Sequence, residues 1–290
     1  MREFDYFRPD TTSELLTLLE QKSARVIAGG TDVIPRMRRG FFLSNCLVDI
    51  SKLDELRFIR EKDDQIEIGT LTTHADLLSS SLLQEKSPAL VQAAATIGCP
   101  QTRQRGTLGG NLVNSSPAAD TLPPLLVLQA MVHLVSAQGE RSMNLEDFLL
   151  GPGKTSLREG EFLHSVKFKQ PTGNWGMLFS KLGKRSGMAI ALASAAVYLE
   201  LDDLDRLKTA RLALGSVAPK AVRCPHVEMV LEGAIPNSSL FTSAGQAVKA
   251  DIDPIDDLRA SAAYRTHVCG VLVPRALNEA WQQAMARRAE

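Results

Sequence analysis

The sequence predicts an α+β protein of two domains, and three observations carry that prediction. The length, 290 residues, corresponds to two units at about 150 residues per domain. Residues 1–171 mix short apolar strands with helical patterns throughout. After Pro171-Thr-Gly-Asn174, the best linker candidate, strands come first and helices follow, the order expected of a separate α+β unit. The expected domains are therefore 1–171, with subdomains of about 1–57 and 58–171, and 174–290.

The elements follow in order. Thr12–Gln21 is predicted helical, with Leu15, Leu18 and Leu19 on one face. An apolar strand at Arg25–Ala28 runs into a glycine turn, and Cys46–Ile50 forms a second short strand. Strands are expected at Gln65–Gly69 and Met131–Val135, separated by two helical patterns and a long loop bearing glycines and prolines. The first of those helices, about Ser87 to Ile97, has Ser87 as N-cap and Pro88 at the first helical position, and Gly98-Cys99-Pro100 ends it. In the second domain, strands are expected near 175–183, 188–201 and 208–217, with helices near 225–232 and 239–250. A last helical region from about Leu258 to Arg288 contains Pro274, which should kink or divide it.

Composition narrows the function. Lys plus Arg and Asp plus Glu each number 33, so the net charge is zero. That balance argues against nucleic acid as the main partner, because phosphate neutralisation needs a surplus of cations. Hydrophobic residues at 44% suffice for a core without disulfide or metal staples. Cys46, Cys99, Cys224 and Cys269 form no CxxC pair, so no iron–sulfur or zinc motif is present. The polar opening MREFDYFRPD lacks the apolar core of a secretion signal. The most apolar run, Met188 to Leu199, is shorter than a membrane span. A cytoplasmic setting without a membrane span is expected.

Two glycine clusters carry the chemistry. In Val26-Ile-Ala-Gly-Gly-Thr-Asp-Val33 a strand enters two glycines ahead of a helix start. Such a turn either aims successive amides at an anion or is an ordinary tight turn capped by Asp32. The second cluster is Arg103-Gln-Arg-Gly-Thr-Leu-Gly-Gly-Asn-Leu112, continuing through Asn114, Ser115 and Asp120. So many small polar residues between apolar helices either meet a polar ligand or form a surface loop. Neither cluster is a GxGxxG or a GxxxxGK[ST] motif. Two such clusters suggest a ligand with a long polar middle, such as a dinucleotide; its identity stays open at this level.

Together, AGGTD at 28–32, Gln101-Thr-Arg and GTLGGNLVNSSPAAD at 106–120 resemble the FAD-binding (medium) subunit of molybdenum hydroxylases, the xanthine dehydrogenase and carbon monoxide dehydrogenase type. The resemblance continues through Lys181–Ile190, Leu212–Pro219 and Ser261–Arg265, so it covers essentially the whole chain. It implies a PCMH-type FAD-binding domain of two α/β subdomains and a smaller C-terminal α+β domain built on a three-stranded sheet with helices. By the same resemblance, Ala28, Gly29, Gly30, Thr31, Asp32 and Val33 wrap the FAD pyrophosphate. Thr107, Gly109, Gly110, Asn111 and Asn114 form the second loop, with Asp120 near the ribityl and ribose hydroxyls. Ile97 and Leu163 fall on the adenine side, and Lys181 reaches the flavin, where a cation favours the reduced cofactor. Two departures from the family pattern are Gln104, where Asn is usual, and Ala263, where an acidic residue is usual.

The implied function is electron transfer. Substrate is oxidised at molybdopterin on a large subunit, electrons cross 2Fe–2S clusters on a small subunit, and FAD passes them to NAD or another acceptor. No catalytic side chain and no metal on this chain are expected, because the flavin carries the chemistry. The alternatives are a flavin-fold assembly protein without redox turnover and a stand-alone flavin oxidoreductase. His74 follows Thr73, and a half-exposed His on a Thr73-capped helix is favoured over a covalent flavin anchor. His133, His164, His226 and His267 are isolated in sequence and receive no metal role. Arg103 and Arg105 divide evenly between phosphate and solvent or a partner, while Arg36, Arg38 and Arg39 read as a surface patch. Trp175 reads as packing, and Tyr264 and Arg265 as ties between the last helix and the sheet.

Overall fold

The structure, a computed structural model, describes residues 3–41 and 45–288. The N-terminal unit comprises β1 (Asp5–Phe7), α1 (Thr12–Gln21), β2 (Arg25–Ile27), α2 (Val33–Arg38) and β3 (Cys46–Asp49). Its three strands form a parallel sheet in the order β1-β3-β2. Helix α1 starts where the Thr11 hydroxyl accepts from the Glu14 amide, and it buries Leu15 and Leu19 against Val48, Ile50, Leu53 and Leu56.

Next come β4 (Ile59–Lys62), β5 (Gln65–Gly69) and six short helices: α3 (His74–Ser79), α4 (Ser81–Lys86), α5 (Pro88–Ala95), α6 (Pro100–Arg105), α7 (Leu108–Asn114) and α8 (Leu122–Val127). They lead into β6 (Met131–Ser136), β7 (Gly139–Asn144), α9 (Leu145–Phe148), β8 (Leu149–Gly151), β9 (Lys154–Thr155) and β10 (Phe162–Lys169). Strands β4-β5-β10-β6-β7 make one antiparallel sheet in that order. Here the expected long loop is corrected, since most of residues 100–114 is helical. Pro100 occupies the first turn of α6, where its missing N–H costs nothing, and the Thr107 hydroxyl caps α7 by accepting from the Gly110 amide. Glycine density concealed both starts.

The C-terminal part holds β11 (Asn174–Gly183), β12 (Ala191–Leu201), β13 (Leu207–Gly215), β14 (Val222–Arg223), α10 (Pro225–Leu231), α11 (Ser238–Ala247) and α12 (Ala262–Arg288). The three long strands appear as expected, and the two-residue β14 adds a fourth to the edge of the sheet. Helix α12 runs unbroken through Pro274. The residue four positions earlier is Gly270, and Gly245 of α11 packs against this turn so closely that a Cβ there would lie 2.7 Å from both the Gly270 oxygen and the Pro274 ring. Neighbouring packing therefore holds the helix together where propensity alone would break it.

The sheets stack in four layers. Helices α5 and α8 lie between the five-stranded and four-stranded sheets, with Leu90, Ala93, Leu125 and Leu126 packed against Ile66, Val132 and Val166 on one side and Met177, Phe179 and Ala196 on the other. The Phe179 amide donates to Gln92 Oε1 at 2.8 Å, joining β11 to α5. On its other face the four-stranded sheet buries Val197, Leu199, Leu212 and Leu214 against α10, α11 and α12. Trp175 is core packing, stacked on Tyr198 with the Arg287 guanidinium 3.8 Å from its ring centre. Buried Arg265 ties α12 to the sheet by donating to the Leu192 and Ser216 carbonyls and to Asp257, whereas Tyr264 is half exposed.

Candidate FAD site

The first glycine cluster leaves β2 and turns into α2, with Gly30 at φ +69°, a conformation that favours glycine. The backbone N–H groups of Gly29, Gly30, Thr31 and Asp32 donate to no acceptor among the described residues. Asp32 stands at the N-cap position but makes no side-chain cap; its carboxylate instead faces Arg36 Nη1 at 3.4 Å. The segment is thus a row of unmet donors beside a guanidinium, the arrangement that receives an anion.

The second cluster is organised differently. Its amides are largely consumed within the protein: Leu108 N donates to Thr72 O, Gly109 N to Thr70 O, Gly110 N to Thr107 Oγ1 and Asn111 N to Thr107 O. The second loop offers hydroxyl and amide side chains on a backbone pinned to residues 70–74. A Cβ on Gly109 would overlap Thr70, which accounts for that glycine without any ligand. The two clusters meet directly, since a Cβ on Gly29 would overlap the Arg105 carbonyl.

Between them lies a cavity of about 180 Å³. Thirteen of the fifteen residues assigned by resemblance line it: Ala28 through Val33, Ile97, Thr107, Gly109, Gly110, Asn111, Asn114 and Leu163. Donors gather at the Gly29–Asp32 end, while Ile97, Leu157, Phe162 and Leu163 supply apolar wall. A larger cavity of about 700 Å³ lies elsewhere, around Gln129, Lys167, Tyr198 and Arg211, and contains neither glycine cluster.

Asp120 and Lys181 are not in the lining. They form a buried ion pair of 2.5 Å, with Thr96 donating to the same carboxylate oxygen at 3.2 Å. Lys181 Nζ donates to Asp120 Oδ2 and lies 3.4 and 3.5 Å from the Thr96 carbonyl and hydroxyl oxygens. Burial pushes the Asp120 carboxyl up from its ordinary value, and the Lys181 charge opposes the shift. Its Oδ1 is buried without a partner in the protein.

Two cavity residues, Arg36 and His74, differ from their sequence reading. Arg36, expected on a surface patch, lines the cavity and donates to Asn114 Oδ1 at 3.3 Å. Arg103, outside the lining, donates to the Ala95 and Ile97 carbonyls. His74 is not half exposed but buried, on a helix whose Thr73–Asp76 capping box is complete. Its amide donates to Gly106 O, and its Nδ1 has no partner. Burial, reinforced by the Arg103 charge, lowers its pKa to about 4.

His74 therefore predicts a pH dependence. The folded chain holds a neutral imidazole, whereas the unfolded chain takes up a proton near pH 6.5. Stability present at neutral pH is lost as pH falls from about 6.5 towards 4, by about 3 kcal/mol at about 1.4 kcal/mol per pH unit. Urea unfolding at pH 7 and pH 4.5 should show a flatter pH response for His74→Gln than for the native chain; equal responses would refute the assignment.

Residues 2–170 match the sequence profile described as the FAD binding domain in molybdopterin dehydrogenase, and residues 179–280 match the CO dehydrogenase flavoprotein C-terminal domain. The chain belongs to this family. The carbon monoxide dehydrogenase medium chain of Hydrogenophaga pseudoflava is 33% identical over 280 residues, covering 96% of this chain and 97% of that protein. The xanthine dehydrogenase FAD-binding subunit of Escherichia coli O157:H7 is 33% identical over 278 residues, covering 95% of both. A solved carbon monoxide dehydrogenase from Hydrogenophaga pseudoflava, lacking the Mo-pyranopterin moiety of its cofactor, superimposes with a TM-score of 0.93 over 97% of this chain and 98% of that one. As in those family members, this chain is a flavoprotein component of an oxidoreductase. Among the described residues, no helix is long and apolar enough to cross a membrane.

Proposed function

We propose that this chain is the FAD-binding electron-transfer subunit of a molybdenum hydroxylase, working between a 2Fe–2S small subunit, a molybdopterin-binding large subunit and a final acceptor such as NAD. One observation supports this most: the unmet amides of Gly29–Asp32 face a cavity whose other wall is the second glycine cluster. In the proposed assignment those amides and Arg36 hold the diphosphate, and Thr107, Asn111 and Asn114 bind hydroxyl or phosphate oxygens. Thr121 donates to Asn111 Oδ1 at 2.6 Å, which orients that amide and leaves its NH₂ group for the ligand. Ile97 and Leu163 wall the adenine. Asp120, outside the lining, is held by Lys181 and Thr96 next to the cavity residue Ile97. Bound FAD supplies the capacity to accept and release electrons singly or in pairs.

Relatives of equal identity are named for carbon monoxide and for xanthine. This supports the view that the substrate is chosen on another chain. The experiment is reconstitution of deflavinated chain with FAD and with FMN, which lacks the second phosphate and the adenine. FAD should bind one per chain, and FMN at least about 100-fold more weakly, a loss of about 2.7 kcal/mol. Equal affinities would refute the diphosphate assignment. A chain that cannot be reconstituted would favour the assembly-protein alternative, and one that oxidises an organic substrate without partners would favour the stand-alone oxidoreductase.

A further inference from the structure

Away from the FAD cavity, the five-stranded sheet carries a second concentration of ligating side chains. Strands β5, β10 and β6 are neighbours, and Ile66, Val132, Leu134 and Val166 point into the core beneath the helical layer. Side chains alternate across a strand, so Glu67 and His133 stand on the opposite face. His164 joins them through an irregularity. Leu163 pairs with Leu134 and Ser165 with His133, so His164 is an extra residue in the ladder. A bulge of this kind re-aims a side chain, and here it brings the two imidazole centres to 5.3 Å. One ligand atom from each of Glu67, His133 and His164 lies within 4.8 Å of the other two.

The hydrogen bonding singles this cluster out. His133 Nε2 pairs with Glu140 Oε2 at 2.9 Å, so the neutral ring carries its proton there and presents an unprotonated Nδ1. That Nδ1 is buried with no partner, and so is Nδ1 of His164. Two unpartnered buried nitrogens on neighbouring rings are costly unless something satisfies them. A carboxylate on the far nitrogen is the usual outer partner of a metal-bound imidazole.

We propose that His133, His164 and Glu67 form a binding site for a divalent transition-metal ion of borderline softness, on the face of the sheet turned away from the FAD-side helices. The mixed imidazole and carboxylate set suits zinc, with a fourth position left to water. Glu67 already accepts from Ser165 at 2.6 Å and from Arg60, and Lys167 Nζ lies 3.4 Å from its Oε1. Lys167 is therefore the competitor that an incoming cation displaces. The site departs from the sequence reading, in which these histidines stood 31 positions apart and unrelated.

The test is calorimetric titration of the FAD-loaded full chain, carrying no histidine tag, with Zn²⁺ alone. One ion per chain is expected. His133→Ala and His164→Ala should each weaken binding at least about 10-fold, and Glu140→Gln about 10-fold as an outer partner. Lys167→Met should tighten binding, which non-specific uptake would not do, and His226→Ala should leave it unchanged. No saturable binding, or equal binding by native chain and a folded His133→Ala/His164→Ala variant, would overturn the proposal. Should the variants fail to fold, X-ray absorption of the zinc-loaded native chain decides: two imidazole nitrogens at about 2.0–2.1 Å support the site, and fewer than two refute it.

Discussion

Gly29→Val should yield a chain that is purified without FAD, whereas Gly187→Ala should retain the native complement. At Gly187 an added Cβ meets nothing within 4 Å, but at Gly29 it would overlap the Arg105 carbonyl and crowd the Gly106 amide. Those atoms belong to backbone, so the two glycine clusters must separate. Overpacking of this kind costs about 1–3 kcal/mol in ordinary cores. Here the displaced element is the donor row itself, so the cofactor is lost before the fold. Gly110→Val acts more mildly: its nearest obstacle is the Thr107 hydroxyl at 3.0 Å, and the harm is a disturbed cap on α7. The ratio of visible flavin absorbance to protein reads both variants. A Gly29→Val chain with full flavin content would show that the contact between the clusters is dispensable.

Lys181→Met should lower the unfolding free energy by about 3–5 kcal/mol, the range for removing one partner of a buried ion pair. The side chains of Lys181 and Asp120 are only 8% and 6% exposed, and Asp120 Oδ1 already lacks a partner. The variant leaves a carboxylate buried with Thr96 as its remaining donor, between the helical layer and β11. Lys181→Met/Asp120→Leu removes both charges and should recover most of the loss. Denaturant midpoints for the single and double variants check this. A single variant within about 0.5 kcal/mol of native would mean that water reaches the pair and that it does not fasten the two layers.

Much of the fold was legible because local signals agreed with tertiary demands. The Thr11 cap and the Leu15/Leu19 stripe both specify α1, and alternation in Gln65–Gly69 specifies β5. Residues 100–114 were harder, because Gly109 and Gly110 have poor helix propensity, and the reason for Gly109 is its close approach to Thr70, a residue distant in sequence. Pro100 and Thr107 were the available signals. In the site, strand-to-glycine turns and small polar residues marked most of the lining. Arg36 was obscured by its neighbours Arg38 and Arg39, and His74 by a burial that arises only when Gly106 folds back onto it. The proximity of His133 and His164 depends on strand order and a bulge, neither of which a linear spacing encodes.

A crystal structure of the FAD-loaded chain tests directly whether the diphosphate lies on the Gly29–Asp32 amides. Phosphate oxygens within about 2.7–3.2 Å of those nitrogens, with Arg36 beside them, are the predicted result. A diphosphate held in the cavity around Lys167 and Arg211, with the Gly29–Asp32 amides bonded only to water, would contradict it.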